Sequence, residues 1–311
     1  MKHRAALPIA LGLTSVLPGG ALHASEARMT VLEPDSKWVA DYGENNCRII
    51  RTFGDKENRT ALIIEQTAPT AGFIWTVAGP PLAKTRWSQP VQVQWGPEFN
   101  ASERQFVDST LGSFGSAYMG RGWGGGTDGE PITNKNLHEI GSAKLSSGLK
   151  PVLAEINVER AAGVEYLMFR QDDRVAFALQ LDHMGSAINA LNKCTSDLAA
   201  SWGFDDSYRQ RLSTKPVWTN VPEIARRIQR NYPSQALRRG AQADFKLRII
   251  VDDAGKPERC DWINNTAADD FEMSKTPCDI VMERAEFEPA LDENEQPIRS
   301  IYETAVVYRM P

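Results

Sequence analysis

Four cysteines, Cys47, Cys194, Cys260 and Cys278, lie behind an N-terminus that reads as an export signal, and together these features constrain the fold more than any other part of the chain. Lys2, His3 and Arg4 form a short basic region. Residues 5–17 are mostly apolar, and Pro18, Gly19 and Gly20 then break the run ahead of small residues. That order is the pattern of a secretory signal peptide, with cleavage preferred at Ala24, removing residues 1–24, and Ala21 and Ala27 as alternative points. The expected location is the periplasm. The rival reading is an uncleaved anchor: a spanning helix needs about 20 apolar residues, and here prolines and glycines interrupt a stretch of about that length. A membrane is therefore expected as a partner only if the signal is retained.

An even number of cysteines in an exported chain reads as disulfides. Three pairings exist. Cys47–Cys194 with Cys260–Cys278 is favoured because each bridge then stays inside one expected domain. Zinc is the alternative. No Cys-x-x-Cys occurs, however, and cleavage leaves only His138 and His183 as imidazoles, so no metal and no cofactor are expected. A chain of 311 residues can build two domains with their own cores. A net charge of −5 without any Lys/Arg run argues against a nucleic-acid surface.

Short apolar runs over residues 38–42, 47–52, 61–66, 73–78 and 91–95 alternate with turn-rich segments and read as strands of an antiparallel meander. Residues 111–130 hold eight glycines and read as a long loop or a set of tight turns. Two further strands are expected near 164–170 and 174–181, with Asp172-Asp173 at the turn between them. A helix follows over 186–202, where Ile188, Leu191, Cys194, Leu198 and Trp202 form one apolar stripe and Gly203 stands past the end. The reading is a β-rich domain over 28–205, closed by a helix. A polar linker with a short helix is expected over 206–228.

The last segment, 229–311, predicts the order helix, strand, strand, helix, strand. Pro233 suits the first turn of a helix. Residues 245–252 alternate Phe245, Leu247, Ile249 and Val251 with Lys246 and Arg248, so one face is expected to be buried. Thr276, Pro277 and Asp279 supply the start of the second helix. This order, with Tyr232-Pro233, Ala236, Arg239-Gly240, Val251, Gly255, Cys260, Cys278, Phe287-Glu288-Pro289-Ala290 and Gln296-Pro297, resembles the TonB C-terminal domain. The chain departs from the family at Asn231, where Gln is usual, and at Ala285 and Glu286. The fold class expected is α+β: a mostly antiparallel β domain, then a small two-helix, three-stranded domain.

What the resemblance implies is strand addition. An extended peptide from an envelope protein or outer-membrane receptor would pair with the last strand, using Ile301, Glu303, Ala305, Val307 and Arg309, with Asn231 and Tyr232 nearby. The same edge would serve a homodimer. A retained N-terminus would make the chain a membrane-anchored energy transducer for outer-membrane transport. An envelope enzyme with its site in the first domain is a third reading, but the motifs for it are poor. There is no Gly-x-Ser-x-Gly, and Gly122–Gly126 lacks a following Gly-Lys-Ser/Thr. His183 beside Asp182, His138 beside Glu139, Asp172-Asp173 and Asp252-Asp253 read as surface and turn residues. Tyr118 and Trp123 read as aromatic anchors ahead of stacking platforms. A binding or adaptor protein, and not an enzyme, is the expectation.

Overall fold

The computed structural model describes residues 29–86, 88–105, 109–123, 155–172, 174–239, 243–264 and 275–308. The expected signal peptide, His138, Glu139, Asp173, Gly124–Gly126 and Arg309 lie outside these residues.

Two sheets share the N-terminal core. The five-stranded sheet contains β1 (Thr30–Leu32), β6 (Val91–Pro97), β7 (Ser102–Arg104), β10 (Val164–Gln171) and β11 (Val175–Gln180), in the order β1-β11-β10-β6-β7. The six-stranded sheet contains β2 (Val39–Tyr42), β3 (Cys47–Phe53), β4 (Thr60–Gln66), β5 (Ile74–Ala78), β8 (Ser109–Thr110) and β9 (Ser116–Arg121), in the order β2-β3-β4-β5-β9-β8. Alternation explains the burial, since Ile49 and Phe53 of β3 and Leu62 and Ile64 of β4 all face inward. Aromatic edges join the sheets: Trp75 of β5 meets Trp95 of β6 and Phe169 of β10, both at 5.9 Å between centroids.

The meander expected from the sequence runs through β2 to β5, and the next strand, β6, crosses to the other sheet. β9 lies where a loop was expected. Its Gly120 is needed for packing, because a Cβ there would stand 2.1 Å from the Trp75 ring. Parallel β1 also went unread, being only three residues long.

Helix α1 (Val158–Ala162) is short, and its Asn157 cap accepts from the Arg160 N–H. Helix α2 (Met184–Ser201) buries Ile188 and Leu191 against the core. Its Cys194 is bonded to Cys47 of β3, with the Cα atoms 6.0 Å apart. This bridge ties the closing helix to the second strand of the six-stranded sheet, as the pairing argument expected.

Residues 206–228, expected as linker, carry α3 (Asp206–Arg211), β12 (Leu212–Thr214), β13 (Val217–Trp218) and the start of α4 (Val221–Arg230). Downstream come α5 (Ser234–Arg239), β14 (Ala243–Val251), β15 (Pro257–Asn264), α6 (Pro277–Arg284), β16 (Phe287–Glu288), β17 (Ala290–Asp292), β18 (Pro297–Ile298) and β19 (Ser300–Tyr308). β12 pairs with β17 and β13 with β16, so the polar stretch is held by backbone bonds that composition does not reveal.

The main C-terminal sheet has the antiparallel order β15-β14-β19. Ile224 and Ile228 of α4, Val281 of α6, and Phe245, Leu247 and Ile249 of β14 form its core. Cys260 on β15 is bonded to Cys278 on α6. A capping box starts α6: Thr276 Oγ1 accepts from the Asp279 N–H at 3.2 Å, and the Asp279 carboxylate accepts from the Thr276 N–H at 2.7 Å. The chain is α+β, and the expected helix, strand, strand, helix, strand order is present with small extra strands. Among the described residues, no helix is long and apolar enough to cross a membrane.

Candidate functional site

β14 buries both of its faces. Phe245, Leu247, Ile249 and Val251 point into the helical layer. Lys246, Arg248 and Ile250 point the other way, toward the N-terminal half. Arg248 is fully buried there. Its Nε and Nη2 donate to Asp261 at 3.0 and 2.7 Å, Nη1 donates to the carbonyls of Asn45 and Thr67 at 3.0 Å each, and Nη2 also donates to Asn45 Oδ1 at 2.9 Å. The planar five-donor fork of Arg is what lets one side chain satisfy so many acceptors. Burial pulls its pKa below the usual 12.5, and the Asp261 carboxylate opposes that pull. The alternation of residues 245–251 had predicted one buried face. Ile250, an apolar residue on the supposedly polar side, was the sequence signal for the second.

β19 stands at the edge of this sheet. It pairs with β14 along its whole length, from Ser300 opposite Val251 to Tyr308 opposite Ala243. Among the described residues no strand pairs with its other side. The Tyr208 side chain of α3 hydrogen-bonds the Ile301 backbone, and burial pushes the Tyr208 hydroxyl up to about 12. Backbone groups alternate in direction along an antiparallel strand. With Ile301 turned outward, Glu303, Ala305 and Val307 turn their N–H and C=O groups outward too.

The residues expected at the edge fall into three groups. Ile301 packs beside the junction cluster of Phe204, Tyr208 and Leu212. The Glu303 carboxylate is taken by Lys246 Nζ at 3.1 Å and by the Thr67 hydroxyl of the N-terminal half, so only its backbone faces outward. Ala305 and Val307 are exposed, Val307 at 47%. Tyr232 stands edge-on to Tyr308 at 4.9 Å, at the far end of the strand. Burial, and next the neighbouring Tyr232, push Tyr308 up to about 12. Asn231 donates to the Arg227 carbonyl at 2.9 Å and closes the end of α4. Tyr208 and Thr67 were missed, because nothing local marks a residue that meets the edge from another element.

The other candidates make contacts within the fold where they are described. Asp182 pairs with Arg51, whose hydrogen bond holds the carboxyl below its usual range, and His183 occupies a left-handed position ahead of α2. Trp123 stacks on Phe99 at 4.9 Å and meets Phe73 and Trp95 edge-on. Tyr118 is buried. Asp252 accepts from the Ala254 and Lys256 N–H groups within its turn. Asp172 takes a positive φ in the β10–β11 turn.

No curated protein and no solved structure matches the chain. Residues 228–310, which carry α5, β14, β15, α6 and β19 in the order just described, match the family of the Gram-negative bacterial TonB protein C-terminal, and this part of the chain is TonB-like.

Proposed function

We propose that the chain is an envelope binding or adaptor protein that grips an extended peptide by strand addition on the outer edge of β19. One observation carries the reading: β19 is a nine-residue strand with β14 on one side and, among the described residues, no strand on the other. Outward N–H and C=O groups at Glu303, Ala305 and Val307 offer a ladder to a visiting strand. The visitor's alternate side chains would meet Tyr302, Val306 and Tyr308 on one face and exposed Ala305 and Val307 on the other. The partner is then a segment of an envelope protein or outer-membrane receptor in extended form, with apolar or aromatic residues at alternate positions.

The direction of the backbone selects the test. Ala305→Pro removes an outward donor, and Val306→Pro removes a donor that faces β14. A partner recovered from envelope extract by wild type is reduced to its interacting peptide and titrated against both proteins, with amide exchange followed at Glu303, Ala305 and Val307. Protection of these three amides in wild type, and loss of binding in a folded Ala305→Pro, is the expected result. Equal affinity of the folded variant for the peptide removes the reading.

A further inference from the structure

The outer face of the five-stranded sheet, opposite the aromatic core, contains a trough. Register places Val31, Ala178 and Met168 side by side across β1, β11 and β10, and sets Gln180 beside Tyr166 and Ala176 beside Arg170. Side chains two apart on a strand share a face. The middle strand therefore shows Ala176 and Ala178 between the larger side chains of its neighbours, with Gln180 at its end. Met29 and Val31 form one wall, and Tyr166 and Met168 form the other. Tyr166 is laid over β6, where a Cβ on Gly96 would come within 2.2 Å of its ring.

The cleft measures about 580 Å³ and is lined by Met29, Val31, Tyr166, Met168, Ala178 and Leu181, with Glu165 and Gln180 also at its border. Sites for small molecules run from about 300 to 1,000 Å³ and are mostly apolar. Met29 and Val31 are 38% and 54% exposed, more than isolated core-forming residues would be.

Its dimensions select the occupant. The walls stand on strands two places apart, about 9.6 Å between backbones, before side chains are counted. A helix with side chains is about 10–12 Å across and does not fit between them. The cleft is lined from Ala178 to Leu181, and the same sheet face continues one row further to Ala176, giving about 16 Å in all, roughly the reach of an extended chain of a dozen carbons. The ends differ in charge. Glu165 borders the cleft near Leu181, and Glu33 lies 2.8 Å from the Gln180 amide. One row beyond the lining at the opposite end, on the same face as Met168, Arg170 is exposed, with no ion-pair partner among the described residues.

We propose that this trough binds one linear alkyl chain of the fatty-acid class, its carboxylate at Arg170 and its tail running over Ala178 toward Leu181. The site is independent of the strand edge at β19.

The test is titration calorimetry of the exported, full-length mature protein with dodecanoate and with dodecanol. Saturable binding of one dodecanoate per chain is expected. Ala178→Leu fills the floor and should weaken both ligands about tenfold, the scale of overpacking. Arg170→Gln should weaken dodecanoate about threefold, as an exposed ion pair would, and leave dodecanol unchanged. Melting curves establish that each variant is folded. If Ala178→Leu is not, Met168→Glu on the wall takes its place, with the same expected loss. Absence of saturable binding, or equal affinities in wild type and the floor and wall variants, overturns the proposal. So does light scattering that shows a dimer abolished by Ala178→Leu, since the face would then belong to a second copy of the chain.

Discussion

The guanidinium carbon of Arg248 lies 3.4 Å from the centroid of the Trp202 ring. One residue belongs to the central strand of the C-terminal sheet and the other ends α2. Around the contact, Arg248 also holds Asp261 and the carbonyls of Asn45 and Thr67. Removing one partner of a buried charge pair costs about 3–5 kcal/mol, because the remaining groups stay desolvated without bonds. Arg248→Ala should lose stability on that scale in urea unfolding. Arg248→Lys should recover little, since a point charge cannot reproduce the planar fork. A fully stable Lys variant would show that the geometry of the fork is unimportant.

Tyr208 predicts an alkaline limit. Its folded pKa is raised from 10.0 to about 12, chiefly by burial. A raised folded value means that the native state holds the proton more tightly than the unfolded chain does. Its contribution is therefore fully present below pH 10.0 and is lost as pH rises toward about 12. Tyr208→Phe should lower stability at neutral pH by about 1 kcal/mol, the hydrogen bond to Ile301 being absent. It should also flatten the fall in stability across the alkaline window. The comparison is a series of urea unfolding curves at stepped pH, and an unchanged slope in the variant would remove Tyr208 as the cause.

The two disulfides should differ in effect. Cys47–Cys194 closes a separation of 147 residues and Cys260–Cys278 one of 18. In the chain-entropy account these are worth about 5 and about 3 kcal/mol. The double serine variant of the long loop should therefore unfold at lower urea than that of the short loop. The reverse order would mean that local contacts around α6, and not loop closure, set the larger contribution.

Much of the fold was legible because it rests on local pattern. The alternation at 245–251 gave β14, the stripe through Ile188, Leu191 and Cys194 gave α2, and Thr276-Pro277-x-Asp279 gave the start of α6. Illegible features depend on distant partners. Gly120 looks like loop chemistry until Trp75 is seen against it. β12 and β13 are two or three residues long and exist only because β17 and β16 meet them. At the edge, the sequence indicated which strand would lie outermost, but the side of the ladder served by each amide follows from Tyr208 reaching Ile301. Arg248 read as a solvent-facing residue of an amphipathic strand, and its burial depends on a surface contributed from some 200 positions away, at Asn45.

The backbone pairing of β12 and β13 onto the C-terminal strands also fixes how a load would travel. A tug on β19 reaches Thr67 directly through Glu303, and through β14 and Arg248 it reaches Trp202, Asn45 and Thr67, with no slack tether among the described residues on either route. Were β19 loaded, tension that a loosely tethered domain would spend on straightening its spacer would instead fall on the N-terminal sheets and the end of α2.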